Sequence, residues 1–232
     1  MTVNRLGCVL VLVCTALATS ARPALAQHTL NLSLGYFMMR GDGRVETDIL
    51  LIEHDTAVFD IRDFRSATVG GEWLVPIGKF FEAGAGVSFS RRTVAAVQVD
   101  SDGGKIERDL IVRQVPLAFT VRMLPLSRSY RVQPYFGGGV AMISWRFSES
   151  GDFVAPNRDI LRGAEYVAIG KTIGPMVLLG LRVAGDTIAC GFEGRYQSGR
   201  GSFGPDFAGV LNPDIDLDGW TLQFTTGMRF GG

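Results

Sequence analysis

The chain is poor in cysteine and histidine. Of 232 residues, three are Cys and two are His. Cys8 and Cys14 sit in an apolar N-terminal segment, so only Cys190 remains once that segment is removed. No internal disulfide is then available, which argues against a small exported globule held by staples. The two histidines, His28 and His54, leave little material for a metal centre or a nucleophile–base pair. His54 is flanked by Glu53 and Asp55, as a general base could be, but no Ser or Asp elsewhere is tied to it by spacing. Charge of one sign is lacking too, with 23 basic against 23 acidic residues and no basic stripe, so a nucleic-acid partner is disfavoured. No stretch beyond residue 26 resembles an uninterrupted apolar helix of ~20 residues, and no heptad, helical repeat or low-complexity tract stands out.

The first 26 residues hold Arg5, the run GCVLVLVCTALA and the ending ARPALA. A basic start, a short apolar core and a small-x-small end predict a secretory signal peptide cleaved before Gln27. Cys14 follows Val13 where a lipidation signal wants a small residue, so a lipoprotein is not expected. Removing Arg5 and Arg22 takes 23 basic residues to 21 against 23 acidic ones, a net charge of about −2. Residues 27–232 are expected to form one domain.

What is abundant is alternation. Leu30, Leu32, Leu34, Tyr36 and Met38 share one strand face; so do Val69, Trp73 and Val75, then Phe81, Ala83, Ala85, Val87 and Phe89. Val115, Leu117, Phe119, Val121 and Met123 repeat the pattern, as do Val177, Leu179, Leu181 and Val183, and Ile188, Cys190, Phe192 and Tyr196. The segment PYFGGGVAMISW is less clean and is read with Tyr135, Ala141, Ile143 and Trp145 on the apolar face. GWTLQFTTGMRF closes the set with Trp220, Leu222, Phe224, Met228 and Phe230. Successive strand residues face opposite sides, so these are eight half-buried strands. The opposite faces carry Glu72, Glu82, Gln114, Arg122, Arg182, Glu193, Arg195, Gln223 and Arg229 among Gly, Ser and Thr. Apolar outward, polar inward and about ten residues per strand are the marks of a membrane barrel.

Long links (41–64, 93–106, about 147–170, 199–217) alternate with short ones near 76–79, 125–131 and 185–186. Long outer loops and short periplasmic turns predict an all-β, eight-stranded antiparallel up-and-down transmembrane barrel with both ends in the periplasm. Aromatic girdles are expected from Trp145, Tyr196 and Trp220 at the outer strand ends and from Trp73, Phe81, Tyr135 and Phe230 at the inner ends.

The leader, the eight segments, QPYFGGGVAMI, the penultimate FEGRYQ and a terminal strand ending in an aromatic together resemble the small outer-membrane β-barrel proteins of OmpA/OmpX type and the OmpW-like barrels. The resemblance implies outer-membrane lipid and the outer-membrane assembly machinery as partners, with Phe230 matching the aromatic of the assembly signal. Gly231 and Gly232 follow it, a departure from that pattern.

Eight strands enclose a space that side chains just fill. Glu72, Glu82, Arg122, Arg182, Glu193, Arg195 and Arg229 are therefore expected to form a lumen ion network. No catalytic residue, cofactor or metal is assigned. DIDLDG (214–219) imitates the start of a calcium loop, but its twelfth position is Thr225 rather than Glu, and a turn entering the last strand fits better. DSDGG (100–104) reads as a turn. GGG at 137–139 lacks the helix and Lys of a phosphate loop and reads as a bend. Apolar residues of the first loop, such as Ile49 and Phe59, could form a lip for a hydrophobic ligand. The expected function is a non-catalytic, monomeric outer-membrane barrel with a structural, adhesive or surface-interaction role, exported by the general secretory route. A narrow channel or lateral path for small hydrophobic molecules, implied by the OmpW-like resemblance, is the alternative. A third is an exported soluble ligand-binding β-barrel, which requires the strand faces to invert.

Overall fold

A computed structural model describes residues 27–40, 64–99, 105–154, 160–203 and 214–231. The leader, residues 41–63 with His54, and 100–104 lie outside the described residues. Ten strands follow in order: β1 (His28–Met39), β2 (Ser66–Ile77), β3 (Phe81–Val99), β4 (Lys105–Met123), β5 (Val132–Val154), β6 (Ile160–Ala184), β7 (Ile188–Gln197), β8 (Arg200–Ser202), β9 (Asp214–Asp216) and β10 (Gly219–Phe230). Eight of them close a barrel in the order β1-β10-β7-β6-β5-β4-β3-β2, every neighbour antiparallel. The seam is β1 against β10, in register from His28 opposite Phe230 to Met39 opposite Gly219.

The alternating sequence dictates which phase each strand shows outside. Leu34, Leu179 and Phe192 are 67, 68 and 70% exposed, and the outward row continues through Leu32, Val121, Val177, Leu222 and Phe224. An apolar belt on all eight strands has no counterpart on a soluble monomer, where large apolar patches are rare. A soluble barrel with inverted faces is therefore contradicted, since the greasy side of each strand points away from the lumen.

At one end the connections are tight. Gly78 takes φ +67° in the β2–β3 turn, a conformation that favours glycine. The β4–β5 turn is laced to it, with Leu124 N donating to Phe80 O and Arg128 N to Lys79 O. The other end is taller than the sequence suggests. Residues 93–99 and 105–106, expected in a loop, extend β3 and β4, and much of 147–170 extends β5 and β6 to 23 and 25 residues. Their Gly, Asp and Arg content reads as loop, but the inward alternation persists through Val94, Ala96, Leu110 and Val112, all buried. The 199–217 link also contains structure, for Arg200–Ser202 pairs with Asp214–Asp216. Asp214 thus opens a short strand rather than a turn.

β5 has the opposite phase to the expected one. Tyr135, Ala141, Ile143 and Trp145 are 0–2% exposed and face the lumen, while Phe136, Val140 and Met142 face out. Tyr135 and Trp145 therefore leave the girdle. Both faces of this segment are apolar or glycine, so polarity could not fix the phase. Packing does: a side chain at Gly137 or Gly139 would meet the β4 backbone at Val121 and Phe119, and Gly180 and Gly170 leave the space that Tyr135 and Trp145 fill. Trp73, Phe81, Trp220 and Phe230 are exposed on the outer surface. Tyr196 and Trp220 pack with ring centroids 5.1 Å apart.

Phe224 lies mid-strand in the apolar belt and Phe230 at its edge, stacked on His28 at 5.8 Å. Phe224→Asp is expected to cost about 2 kcal/mol in urea titrations of the detergent-refolded barrel, and Phe230→Asp about 0–1 kcal/mol. In cells the order should reverse for assembly, with Phe230→Asp reaching the membrane poorly despite near-normal refolding, as read by heat-modifiable gel mobility.

Candidate functional site

The lumen has two layers. Near the tight turns it is polar and charged; towards the tall end it is mainly apolar, with one Arg108–Glu149 ion pair of 2.7 Å beyond Leu110 and Phe147. β2 supplies Glu72, β4 Arg122 and Thr120, β5 Gln133 and Tyr135, β6 Arg182, β7 Glu193 and Arg195, β10 Gln223, and β3 Glu82. Each follows from strand phase, because it sits opposite the apolar row of its own strand.

Arg122, 1% exposed, lies between two carboxylates. Its Nη2 pairs with Glu72 and, at 2.9 Å, with Glu193. Arg195 bridges the same two acids, its Nη2 donating to Glu72 and its Nε to Glu193. Thr120 Oγ1 donates to Glu72 at 3.0 Å, and Gln223 Nε2 and Tyr135 OH each donate to Glu193 at 2.9 Å. Two acids and two guanidiniums thus balance in one layer. The Tyr135 ring lies beneath Arg122, 5.0 Å from guanidinium carbon to centroid.

Glu82 forms the next knot. Arg182 grips it with two hydrogen bonds of 2.9 and 3.1 Å, the bidentate geometry that favours arginine. Arg182 also donates to Gln133 Oε1, whose amide nitrogen donates to the carbonyls of Arg128 and Tyr130 in the turn. Arg128, from that turn, reaches Glu82 at 3.1 Å and the carbonyl of Gln27 at 2.9 Å. Burial pushes the Arg128 guanidinium below its ordinary value while Glu82 pulls it back up. Arg229 stands apart: its guanidinium donates to the Gly185 carbonyl at the rim, and no ion pair joins it to the knot among the described residues. Six of the seven network residues are brought together; Arg128, Gln133 and Tyr135 join them unforeseen.

Above a Gln114–Gln197 hydrogen bond of 3.1 Å, the lumen turns apolar. Phe37, Ile143, Trp145, Phe147, Phe203, Ile215 and Leu217 form one buried cluster. Phe203, just after β8, packs on Trp145 at 5.3 Å and edge-on to Phe147 at 5.5 Å, and so sits in the barrel mouth. The expectation of a polar lumen thus holds for one half. The apolar half was hidden in segments read as loop and in the inverted phase of β5.

Two of the acids of 214–219 hold the entry to β10. Asp218 accepts from Gly199 N and Tyr196 OH, and Asp216 from Asp218 N. Among the described residues no group of three or more His, Cys, Asp or Glu is placed to hold a metal ion. Cys190 points outward, 3.6 Å from the Thr226 hydroxyl.

The closed ring, the outward apolar belt and the filled lumen can be set beside known proteins. No protein-family model matches the chain, and no curated protein sequence does. Among solved structures it is similar to the outer membrane protein OprG from Pseudomonas aeruginosa, with TM-score 0.54, 16% identity, and coverage of 89% of this chain and 97% of that one. The fold is that of the small eight-stranded outer-membrane β-barrels. Lesser likenesses are Ail, the attachment invasion locus protein of Yersinia pestis (TM-score 0.49, 9% identity, 88 and 99% coverage), and Neisserial surface protein A (TM-score 0.46, 12%, 88 and 97%). The fold assignment rests on OprG.

Arg122→Leu strands Glu72 and Glu193 beside a single remaining guanidinium in a buried layer. It is expected to destabilise the refolded barrel by about 3–5 kcal/mol in urea titrations. Arg131→Ala, in the solvent-facing turn, should change stability by less than about 0.5 kcal/mol.

Proposed function

We propose that the protein is a non-catalytic, integral outer-membrane barrel whose lumen is shut and whose role is exercised at the outer face, in adhesion or another surface contact. It is exported behind the 1–26 leader by the general secretory route and acts as a monomer. Phe230 serves as the aromatic of the signal read by the assembly machinery. The observation that supports this reading is the filling of the lumen by two successive plugs. The Glu72–Arg122–Glu193–Arg195 layer closes the turn end, and the Trp145–Phe147–Phe203 stack closes the mouth. A water path would have to break paired buried charges and then cross an apolar layer, each costing several kcal/mol. β3–β6, at 19–25 residues, run well past the ~10 that a spanning strand needs and raise a wall beyond the apolar belt.

One observation favours a second reading, a lateral path for small hydrophobic molecules. The mouth is lined by apolar side chains, and within it the Trp145 indole N–H is buried with no acceptor among the described residues. An orphaned buried donor costs about 1–3 kcal/mol and suits a small ligand with one acceptor atom.

Planar-bilayer recording of the refolded protein, paired with uptake of a small aromatic ketone, apolar but for one carbonyl acceptor, by expressing cells, separates the two. The shut barrel predicts no steady conductance and uptake equal to vector control. Stable single-channel steps would overturn the plug. Uptake above control that Trp145→Ala changes would favour the second reading.

A further inference from the structure

Where the outward apolar belt ends on the tall side, the outward positions turn basic. On β3 the row Val87, Phe89 is followed by Arg91; on β4 Leu117, Val115 by Arg113; on β5 Met142, Ser144 by Arg146. The registers make these arginines direct cross-strand partners: Arg91 opposite Arg113, and Arg113 opposite Arg146. Three guanidiniums thus stand side by side on one face of three adjacent strands. Exposed Arg65, just before β2, and Lys171 on β6, opposite Ser144, lie near the row but off its level, where the direct β6 partner of Arg146 is Ile169.

This arrangement is unfavourable taken alone. Residues directly opposite on neighbouring strands have Cβ atoms about 4.5–5.5 Å apart, and like charges there repel. Little within the chain offsets it. Arg146 reaches Glu165 at 3.6 Å, with both side chains well exposed, an ion pair of small worth. Asp109 is exposed on the same face of β4, four residues beyond Arg113. No ion pair joins Arg91 or Arg113 to any carboxylate among the described residues. Most lumen arginines are closely paired, so Arg91 and Arg113, unpaired beside a weakly paired Arg146, are not the habit of this chain. The charge of the triad is that of a site whose anion comes from outside.

The height of the row says which anion. The arginines sit one step above the lipid-facing apolar side chains, where glycolipid phosphates of an outer leaflet would lie. Guanidinium and phosphate match in a bidentate geometry, and a row of cations at a membrane surface attracts anionic headgroups. We propose that Arg91, Arg113 and Arg146 form a cross-strand ladder that binds the phosphate groups of a phosphorylated outer-leaflet glycolipid, anchoring the β3–β6 wall in that leaflet. The proposal rests on the outer-membrane reading above and adds a partner and a site to it.

The test uses the chain from Gln27 onward, refolded in zwitterionic detergent. Native mass spectrometry follows titration with bisphosphorylated lipid A and with the same glycolipid after removal of its phosphates. The wild-type barrel should bind the phosphorylated form at least tenfold more tightly. R91Q/R113Q/R146Q should lose that preference, and R91K/R113K/R146K should keep part of it. Arg113→Gln alone, the centre of the row, should lose about threefold and guards against a triple variant that does not fold. Arg131→Gln, a cation in the turn at the opposite end, should bind as wild type does. Equal binding of the two glycolipids to a folded wild type, or an undiminished preference in folded Arg113→Gln and triple variants, would overturn the ladder while leaving the barrel intact. A chain that stays water-soluble without detergent would instead overturn the membrane reading itself.

Discussion

The whole molecule depends on backbone hydrogen bonding in a medium without water. A strand in hydrocarbon cannot leave a row of N–H and C=O groups unpaired, so a sheet there must close on itself. β1 and β10 meet that demand over twelve residue pairs, from His28–Phe230 to Met39–Gly219. Once the ring is shut, each side chain has two destinations, lipid or lumen, and strict alternation follows. The even strand count then brings both ends of the barrel to the same rim.

Closure of eight strands sets the second problem, an interior too narrow for bulk water and too wide to be left empty. The chain answers it in two ways along one axis. Near the turns the filling is ionic, and each carboxylate is met by more than one guanidinium or amide. Towards the mouth it is aromatic, with Trp145 and Phe147 capped by Phe203 from the link between β8 and β9. The boundary matters because unpaired charge is costly beside an apolar layer. Gln114 and Gln197, neutral and hydrogen-bonded to each other, stand at that boundary.

The parts of this architecture that were legible in the sequence are those where one strand face is polar and the other apolar. β1, β7 and β10 declare their phase residue by residue, and the carboxylates and guanidiniums of the lumen follow from it. β5 did not, because glycine and apolar residues occupy both its faces; its phase is set by the tight contact of Gly137 and Gly139 with β4, a property of the pair rather than of either segment. The upper halves of β3–β6 were hidden for a related reason. Their composition is that of loops, and only the register between Val94 and Leu110 or between Phe147 and Ala168 keeps them in the sheet. Tyr135 joined the ion network for the same cause, since its place over Gly180 depends on a neighbour 45 positions away.

The direction in which the apolar faces point carries everything else, and a nitroxide reads it directly. Phe192 lies on the outward row of β7, and Phe192→Cys in a Cys190→Ala background places one label there. In refolded barrels reconstituted into lipid, the label should collide readily with dissolved oxygen, which concentrates in hydrocarbon, and rarely with a water-soluble nickel chelate. Frequent collision with the chelate, or with neither, would contradict a lipid-facing surface and with it the barrel as described.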